Sequence, residues 1–94
     1  MKISVEFLGF PMVSNVLGKR LELDIPGSSV KDLIDELVRR HGRKIENAFY
    51  DEKGTLDVTL QMMINGKLIG SADIHSSSLN EGDTLTFMLL LAGG

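Results

Sequence analysis

The part of the chain with the clearest chemical potential is its C-terminal end, Ala92-Gly93-Gly94. A segment with almost no side chains is thin enough to enter a narrow active site on another protein. The reacting group would be the α-carboxylate of Gly94, a poor acyl donor until ATP converts it into an acyl-adenylate. We therefore expect Gly93 and Gly94 to serve a partner that uses ATP and Mg²⁺. The alternative is that small residues merely fray there, since termini tolerate nearly any residue.

Sulfide that displaces AMP from such an adenylate leaves a terminal thiocarboxylate, which is an accessible sulfur nucleophile. This chemistry requires no cysteine on the carrier, and the sequence contains none. The absence of cysteine also excludes a thiolate nucleophile, a disulfide framework and cysteine-ligated metal sites. The reactive sulfur would thus be carried by the backbone terminus alone.

Other polar residues offer weaker candidates for a site. His41 falls at the predicted end of a helix, and His75 lies in a polar loop without the spacing of a hydrolase triad. The acidic pairs in Asp51-Glu52 and Glu81-Gly82-Asp83 are typical of reverse turns, and Asn65-Gly66-Lys67 lacks the glycine spacing of a phosphate loop. We expect no metal ligand, no bound cofactor and no catalytic acid or base, so the chain is predicted not to be an enzyme.

Length and charge limit the partners. The 94 residues suffice for one domain, predicted to span residues 1–94 with residues 90–94 as an extended tail. A net charge of -3 gives no electrostatic footprint for nucleic acid. The longest apolar run, from Phe87 to Ala92, is too short to cross a bilayer, and the first residues do not form a signal-peptide core. We expect a cytoplasmic protein that binds neither nucleic acid nor membrane.

Alternation of apolar and polar residues predicts the strands. The first spans about residues 2–8 and the second about 20–25, with an intervening loop suggested by turn-forming residues. Leu60 to Ile64 also alternate and run into Asn65-Gly66, which is a strong signal for a tight hairpin and a short returning strand. A last strand begins near Thr84.

One amphipathic helix lies between these strands. Ser29 is the predicted N-cap, with Asp32 three residues on as in a capping box. Apolar residues then recur at helical spacing, and Gly42 supplies the C-cap. Residues 43–59 have a weaker pattern, in which a short helical turn and a reverse turn at Asp51 are expected.

This order of elements predicts an α+β fold in which one main helix packs across one face of a mixed sheet of four to five strands. Strands of this order form a β-grasp, or ubiquitin-like, domain. Placing the first and last strands side by side in the middle would explain why the last strand is apolar on both faces. The tail would then leave from a rigid element.

At this point the whole chain resembles the MoaD/ThiS family of sulfur carriers, which includes the molybdopterin synthase small subunits. The segments that carry the resemblance occur in the family's order: Ser29-Val30-Lys31-Asp32-Leu33, Asp51-Glu52-Lys53-Gly54, Ile64-Asn65-Gly66-Lys67, Leu79-Asn80-Glu81-Gly82-Asp83 and Ala92-Gly93-Gly94. The length, and the insert between helix and hairpin, look more like the molybdopterin type than the thiamine type. One departure is Leu89-Leu90-Leu91, where many relatives have a Pro-Pro-Val run.

The resemblance implies a function and partners. Gly94 would be adenylated by a MoeB/ThiF-like activating enzyme and converted to a thiocarboxylate. The sulfur would pass to a pterin precursor on a larger molybdopterin synthase-type subunit, which makes molybdenum or tungsten cofactor biosynthesis the leading expectation. Transfer to thiamine or cysteine synthesis, capture by lysine as in a ubiquitin-like protein modifier, and a plain interaction domain with an incidental diglycine stay open.

A docking surface is expected beside the tail. If Met62 lies on the buried face of its strand, Met63 points outward, and Met88 and Leu90 do so on the last strand. We expect Met63, Met88, Leu90, Leu91 and Ala92 to contact the partner. The alternative is that a helix, a loop or a neighbouring subunit covers these side chains, since methionine is also an ordinary core residue.

Overall fold

The computed structural model describes residues 1–89. Along the chain, the helices and strands are β1 (Lys2–Leu8), α1 (Pro11–Leu17), β2 (Arg20–Asp24), α2 (Val30–His41), α3 (Arg43–Phe49), β3 (Leu60–Ile64), β4 (Lys67–Ile69), a 3₁₀ turn (Ser71–Asp73) and β5 (Thr84–Leu89). Among these described residues, no helix has the length and the apolar composition of a membrane span.

The strands form one five-stranded mixed sheet in the order β2-β1-β5-β3-β4. β1 and β5 are parallel, whereas the other neighbouring pairs are antiparallel. The predicted fold class and the predicted adjacency of the first and last strands are confirmed. Because β5 lies at the centre, its backbone is hydrogen-bonded on both sides, to β1 and to β3.

The core lies between the inner face of the sheet and the helices. Four phenylalanines link the layers: Phe87 on β5 stacks against Phe7 on β1 at 5.8 Å and meets Phe49 of α3 edge-on at 4.9 Å. Phe10, just before α1, packs edge-on against Phe49 at 5.5 Å between ring centroids. Each of these rings is at most 1% exposed, so β5 is held from beneath by aromatic packing.

Helix α2 begins and ends as its sequence predicts. The Ser29 hydroxyl accepts a hydrogen bond from the Asp32 amide at 3.0 Å, and the Asp32 carboxylate accepts one from the Ser29 amide at 3.1 Å. Ser28 donates its amide to the same carboxylate, and these bonds hold the pKa of Asp32 below its usual value. Gly42, at φ 78°, ends the helix in a conformation that favours glycine.

Residues 11–17 correct one expectation, because they form helix α1 where a loop was predicted. Pro11 occupies the first turn, where its missing amide proton costs nothing, and Gly18 ends the helix at φ 85°. Seven residues are too few to show helical periodicity clearly, and so short a helix depends on packing. The buried Val13 provides that packing. The short helical turn expected after Gly42 is confirmed as α3.

Candidate functional site

The candidate site is the end of β5 from which the chain continues to its C-terminus. Leu89, the last described residue, pairs with Leu60 and packs its partly buried side chain against the core. The predicted reacting residues Gly93 and Gly94, and the predicted contacts Leu90, Leu91 and Ala92, lie outside the described residues, so their roles stay predictions. The described residues show how the rest of the domain holds β5 and which side chains surround its end.

The start of β5 is fixed by hydrogen bonds from the β3–β4 turn. Asn65 and Gly66 adopt positive φ values of 52° and 83°, as in a type I′ turn. The Asn65 side chain accepts from the Thr84 amide at 2.9 Å and donates to the Asp83 carboxylate at 2.9 Å. The predicted hairpin is thus confirmed, and its asparagine also anchors the strand that leads to the tail.

The outer face of the sheet carries apolar side chains near the end of β5. Met88 pairs with Leu8 on β1 and Gln61 on β3, while Met63 pairs with Leu68 on β4. Directly paired residues of neighbouring strands project to the same face. Met63 and Met88 are half-buried, whereas Leu8 is 43% and Leu68 58% exposed. We name Leu8, Met63, Leu68 and Met88 the sheet patch.

Two members of the sheet patch, Leu8 and Leu68, were missed in the sequence. Leu8 has the same parity as the outward-facing Lys2, Ser4 and Glu6, which was the available signal. Leu68 lies between the exposed Lys67 and the partly buried Ile69 in a strand of only three residues, where alternation is hard to detect.

Charged side chains occupy the other part of the outer face. Glu6 on β1 pairs across the strands with Arg20 on β2, and their side chains approach to 3.6 Å. At the far end of the same two strands, Lys2 pairs with Asp24, whose carboxylate accepts a hydrogen bond from the Met1 amine at 2.9 Å. This hydrogen bond keeps the pKa of Asp24 below its usual value. The outer face is therefore divided between charged and apolar side chains.

A second cluster of charge lies on α2. Glu36 is 6% exposed and accepts hydrogen bonds from Arg39 at 2.9 Å and from Arg40 at 2.6 Å. These two guanidinium groups lower the pKa of Glu36 to about 2. Arg40 also donates to the carbonyl of Asp24 at 3.1 Å, which joins the helix to the end of β2. The hydrogen bonds of Glu36 thus connect it to its own helix, and we assign it no chemistry.

The remaining candidates from the sequence are placed in turns and at helix ends. The Asp51 carboxylate accepts from the amides of Lys53 and Thr55, each at 2.9 Å, as a turn residue does. His41 and His75 are exposed and far apart in the chain. Within residues 1–89, no group of three His, Cys, Asp or Glu side chains is arranged to hold a metal ion.

Comparisons with known proteins agree with this geometry. Small archaeal modifier protein 1 from H. volcanii superposes with a TM-score of 0.76 at 20% identity, over 96% of this chain and 98% of that one. A chain of the Amycolatopsis orientalis BexX/CysO complex gives 0.72 at 22%, over 98% and 99%. The putative molybdopterin converting factor subunit 1 from Pyrococcus furiosus gives 0.64 at 22%, over 97% and 99%.

These likenesses show a shared fold. Among curated proteins, no match to the sequence is found. The model of the ThiS family matches residues 10–94, which include α1, the whole helical layer, β5 and the diglycine. The chain therefore belongs to the ThiS family of small ubiquitin-like sulfur carriers.

Proposed function

We propose that this protein carries sulfur as a thiocarboxylate on Gly94 and donates it in molybdopterin biosynthesis. The observation that carries the proposal is that β5, the central strand of the sheet, leads in sequence directly into a tail that ends in Gly93-Gly94. When a rigid domain presents a slender terminus, only the few residues of that terminus lose conformational entropy on binding.

The reaction that we propose has two steps, both catalysed by a partner. A carboxylate oxygen of Gly94 attacks the α-phosphorus of ATP, and pyrophosphate leaves with Mg²⁺ bound to it. Hydrosulfide then attacks the acyl carbon, AMP leaves with the electron pair of the broken carbon–oxygen bond, and loss of the proton on sulfur leaves the thiocarboxylate. The chain contributes the acyl group and its presentation, and it is not itself a catalyst.

Recognition by the activating enzyme, of the MoeB/ThiF type, is proposed to use the sheet patch together with the tail. Met88 lies on the outer face near the end of β5, and Met63 lies opposite Thr86 near the middle of the same strand. Leu8 and Leu68 extend this apolar surface. Leu90, Leu91 and Ala92 continue from the same strand in sequence. Methionine side chains adapt to different partner surfaces, which suits a carrier that meets an activating enzyme and then an acceptor.

The acceptor is proposed to be a pterin precursor on a larger molybdopterin synthase-type subunit. The length of the chain and the insert between helix and hairpin, now seen to contain α3 and the Asp51 turn, support this choice. The fold shared with the Pyrococcus furiosus putative molybdopterin converting factor supports it as well. Since Leu89 packs against the core of this domain, the groove of the acceptor is proposed to be shaped for Leu90 and Leu91, which lie where many relatives have a Pro-Pro-Val run.

A second candidate is a ubiquitin-like protein modifier, in which a lysine amine captures the same adenylate and forms an isopeptide bond. The fold shared with a small archaeal modifier protein supports this second candidate. Mass spectrometry of proteins from the native cell separates the two, because only a modifier leaves this C-terminus attached to lysines.

The proposal is tested by the release of AMP from ATP in the presence of sulfide and the activating enzyme purified from the same cells. The wild-type chain should be charged, and a variant with a short C-terminal extension after Gly94 should not, because its carboxylate is displaced from the adenylation site. A matched extension at the N-terminal side should leave charging intact. Equal AMP release with and without the C-terminal extension would rule the mechanism out.

A further inference from the structure

Three long stretches of the sequence contain no Asp, Glu, Lys or Arg, at residues 7–18, 58–66 and 84–94. No other stretch lacks these residues for so long. Parts of all three meet at one end of the sheet: β1 ends with Leu8 beside Met88, and β3 begins with Leu60 opposite Leu89. The strand ends on the two sides of the end of β5 therefore carry no formal charge.

Helix α1 is part of this uncharged region and exposes apolar side chains. Met12 is 58% and Val16 48% exposed, and their spacing of four places them on one face of the helix. Val13, on another face, is fully buried. A surface helix ordinarily carries charged or polar residues on its solvent side, so an apolar exposed face suggests a binding role. We name Met12 and Val16 the helix patch.

The helix patch and the sheet patch adjoin the same strand end. Leu8 belongs to the sheet patch, and α1 begins only three residues later at Pro11. Between them, a methyl group built on Gly9 would lie 4.0 Å from the Leu89 carbonyl oxygen, so the connection passes directly beside the end of β5. Asp57, which precedes the second uncharged stretch, directs its carboxylate to the amide and hydroxyl of Thr59 at 2.8 and 2.7 Å.

We propose that the helix patch binds the activating enzyme at the same time as the sheet patch, so that the two form one uncharged collar around the base of the tail. This inference rests on the proposed function. An acyl-adenylate is a mixed anhydride that water destroys, whereas a thiocarboxylate is far less labile. The activating enzyme therefore has the stronger need to exclude water around the tail, and apolar side chains on both sides of its base provide the seal.

The collar predicts a particular response to charge and salt. Because neither patch contains a charged residue, a charge of either sign placed in the helix patch should weaken binding, since it must be desolvated. For the same reason, the binding of the wild-type chain should change little with ionic strength.

The test measures KM for AMP release with the activating enzyme purified from the same cells. Val16→Glu and Val16→Lys should each raise KM about tenfold, a typical effect for a central apolar contact. Met12→Gln, which changes shape little, should raise it less. Ser76→Glu is the matched control, because Ser76 is exposed and lies beside Ser77, whose carbonyl accepts from the start of α2. This variant should keep the wild-type KM.

Several results would overturn the inference. The first is an unchanged KM for both Val16 variants, and the second is opposite effects of Glu and Lys on KM. The third is a defect of the variants that is confined to sulfur transfer from the thiocarboxylate to the acceptor. Thermal unfolding establishes that each variant is folded. If Val16→Glu or Val16→Lys does not fold, the KM of Met12→Gln tests the inference in its place. If the activating enzyme does not adenylate the wild-type chain, the proposed function is refuted as well. If it does, and the variants have the KM of the wild type, this inference alone is refuted.

Discussion

The two ends of the central strand β5 differ in how far the groups around them are hydrogen-bonded or buried within the domain. At the start, Asp83 accepts from the amide of Asn80 at 2.8 Å and from the Asn65 side chain, while the Lys2 amide donates to Glu81 at 3.0 Å. Polar groups there are paired within the molecule. At the end, the outer face presents apolar side chains that stay partly exposed, such as Leu8 at 43%. One end is completed by the fold, and the other is suited to completion by a partner.

Deleting Gly94 should have the largest effect on function. The shortened chain should fold normally, because the residue lies beyond the last strand, but charging should be lost entirely, since the carboxylate no longer reaches the adenylation site. AMP release and circular dichroism measure the two properties. Deletion variants that are still charged would show that the reacting group is elsewhere.

The contrast between the inner and outer faces of β5 is tested at neighbouring residues. Phe87→Ala removes a fully buried ring that contacts Phe7 and Phe49, and it should lower the free energy of unfolding by about 3–5 kcal/mol. Chemical denaturation measures this loss. A much smaller value would mean that the aromatic cluster does not hold the base of the tail.

On the outer face, Met63→Glu should weaken binding of the activating enzyme about tenfold, or about 1.4 kcal/mol, with a much smaller effect on stability. The half-buried side chain lies within the sheet patch, where a carboxylate would have to be desolvated on binding. Titration calorimetry gives the affinity. The matched control Glu22→Gln changes an exposed charge on β2, and equal affinities of the two variants would remove the sheet patch from the interface.

Away from the tail, at the start of α2, Ser29→Ala should lower the free energy of unfolding by about 1 kcal/mol, because the Asp32 amide loses its acceptor. Ser28→Ala is the control, since Ser28 contributes only backbone groups to the same capping arrangement. Neither variant should alter charging of the tail. A charging defect in Ser29→Ala at a temperature where it is folded would contradict the separation of the two ends.

The smallest expected effect concerns acid stability. The pKa of Glu36 is lowered from 4.5 to about 2 by Arg39 and Arg40, so its ion pairs stabilise the folded state fully above pH 4.5 and lose this effect as the pH falls toward 2. Glu36→Gln should therefore be less stable than the wild type at neutral pH, with the difference shrinking through this acidic range. A difference in unfolding free energy that does not change with pH would exclude the assignment.

Much of the fold could be predicted because its signals are local. Alternation located β1, β3 and β5, the Asn65-Gly66 pair located the hairpin, and Ser29 located the start of α2. Helix α1 could not be predicted, since it depends on tertiary packing of Val13 more than on its own seven residues. Of the candidate site, the orientation of Met63 and Met88 followed from parity.

The rest of the site depends on which strands become neighbours. The pairing of Leu8 with Met88, and of Leu68 with Met63, is a consequence of the strand order and register. Alternation within a single strand contains no information about its lateral neighbour. The convergence of the three uncharged stretches was for the same reason visible only in the structure, although each stretch can be read in the sequence.

The most direct measurement is the intact mass of the chain purified from its native cell without a C-terminal tag. A sulfur carrier should show a fraction whose mass is raised by the replacement of one oxygen with sulfur, and fragmentation should place the change on Gly94. Inactivating the activating enzyme should abolish this fraction. A chain that has only the mass of its sequence, under conditions in which the pathway is active, would contradict the account.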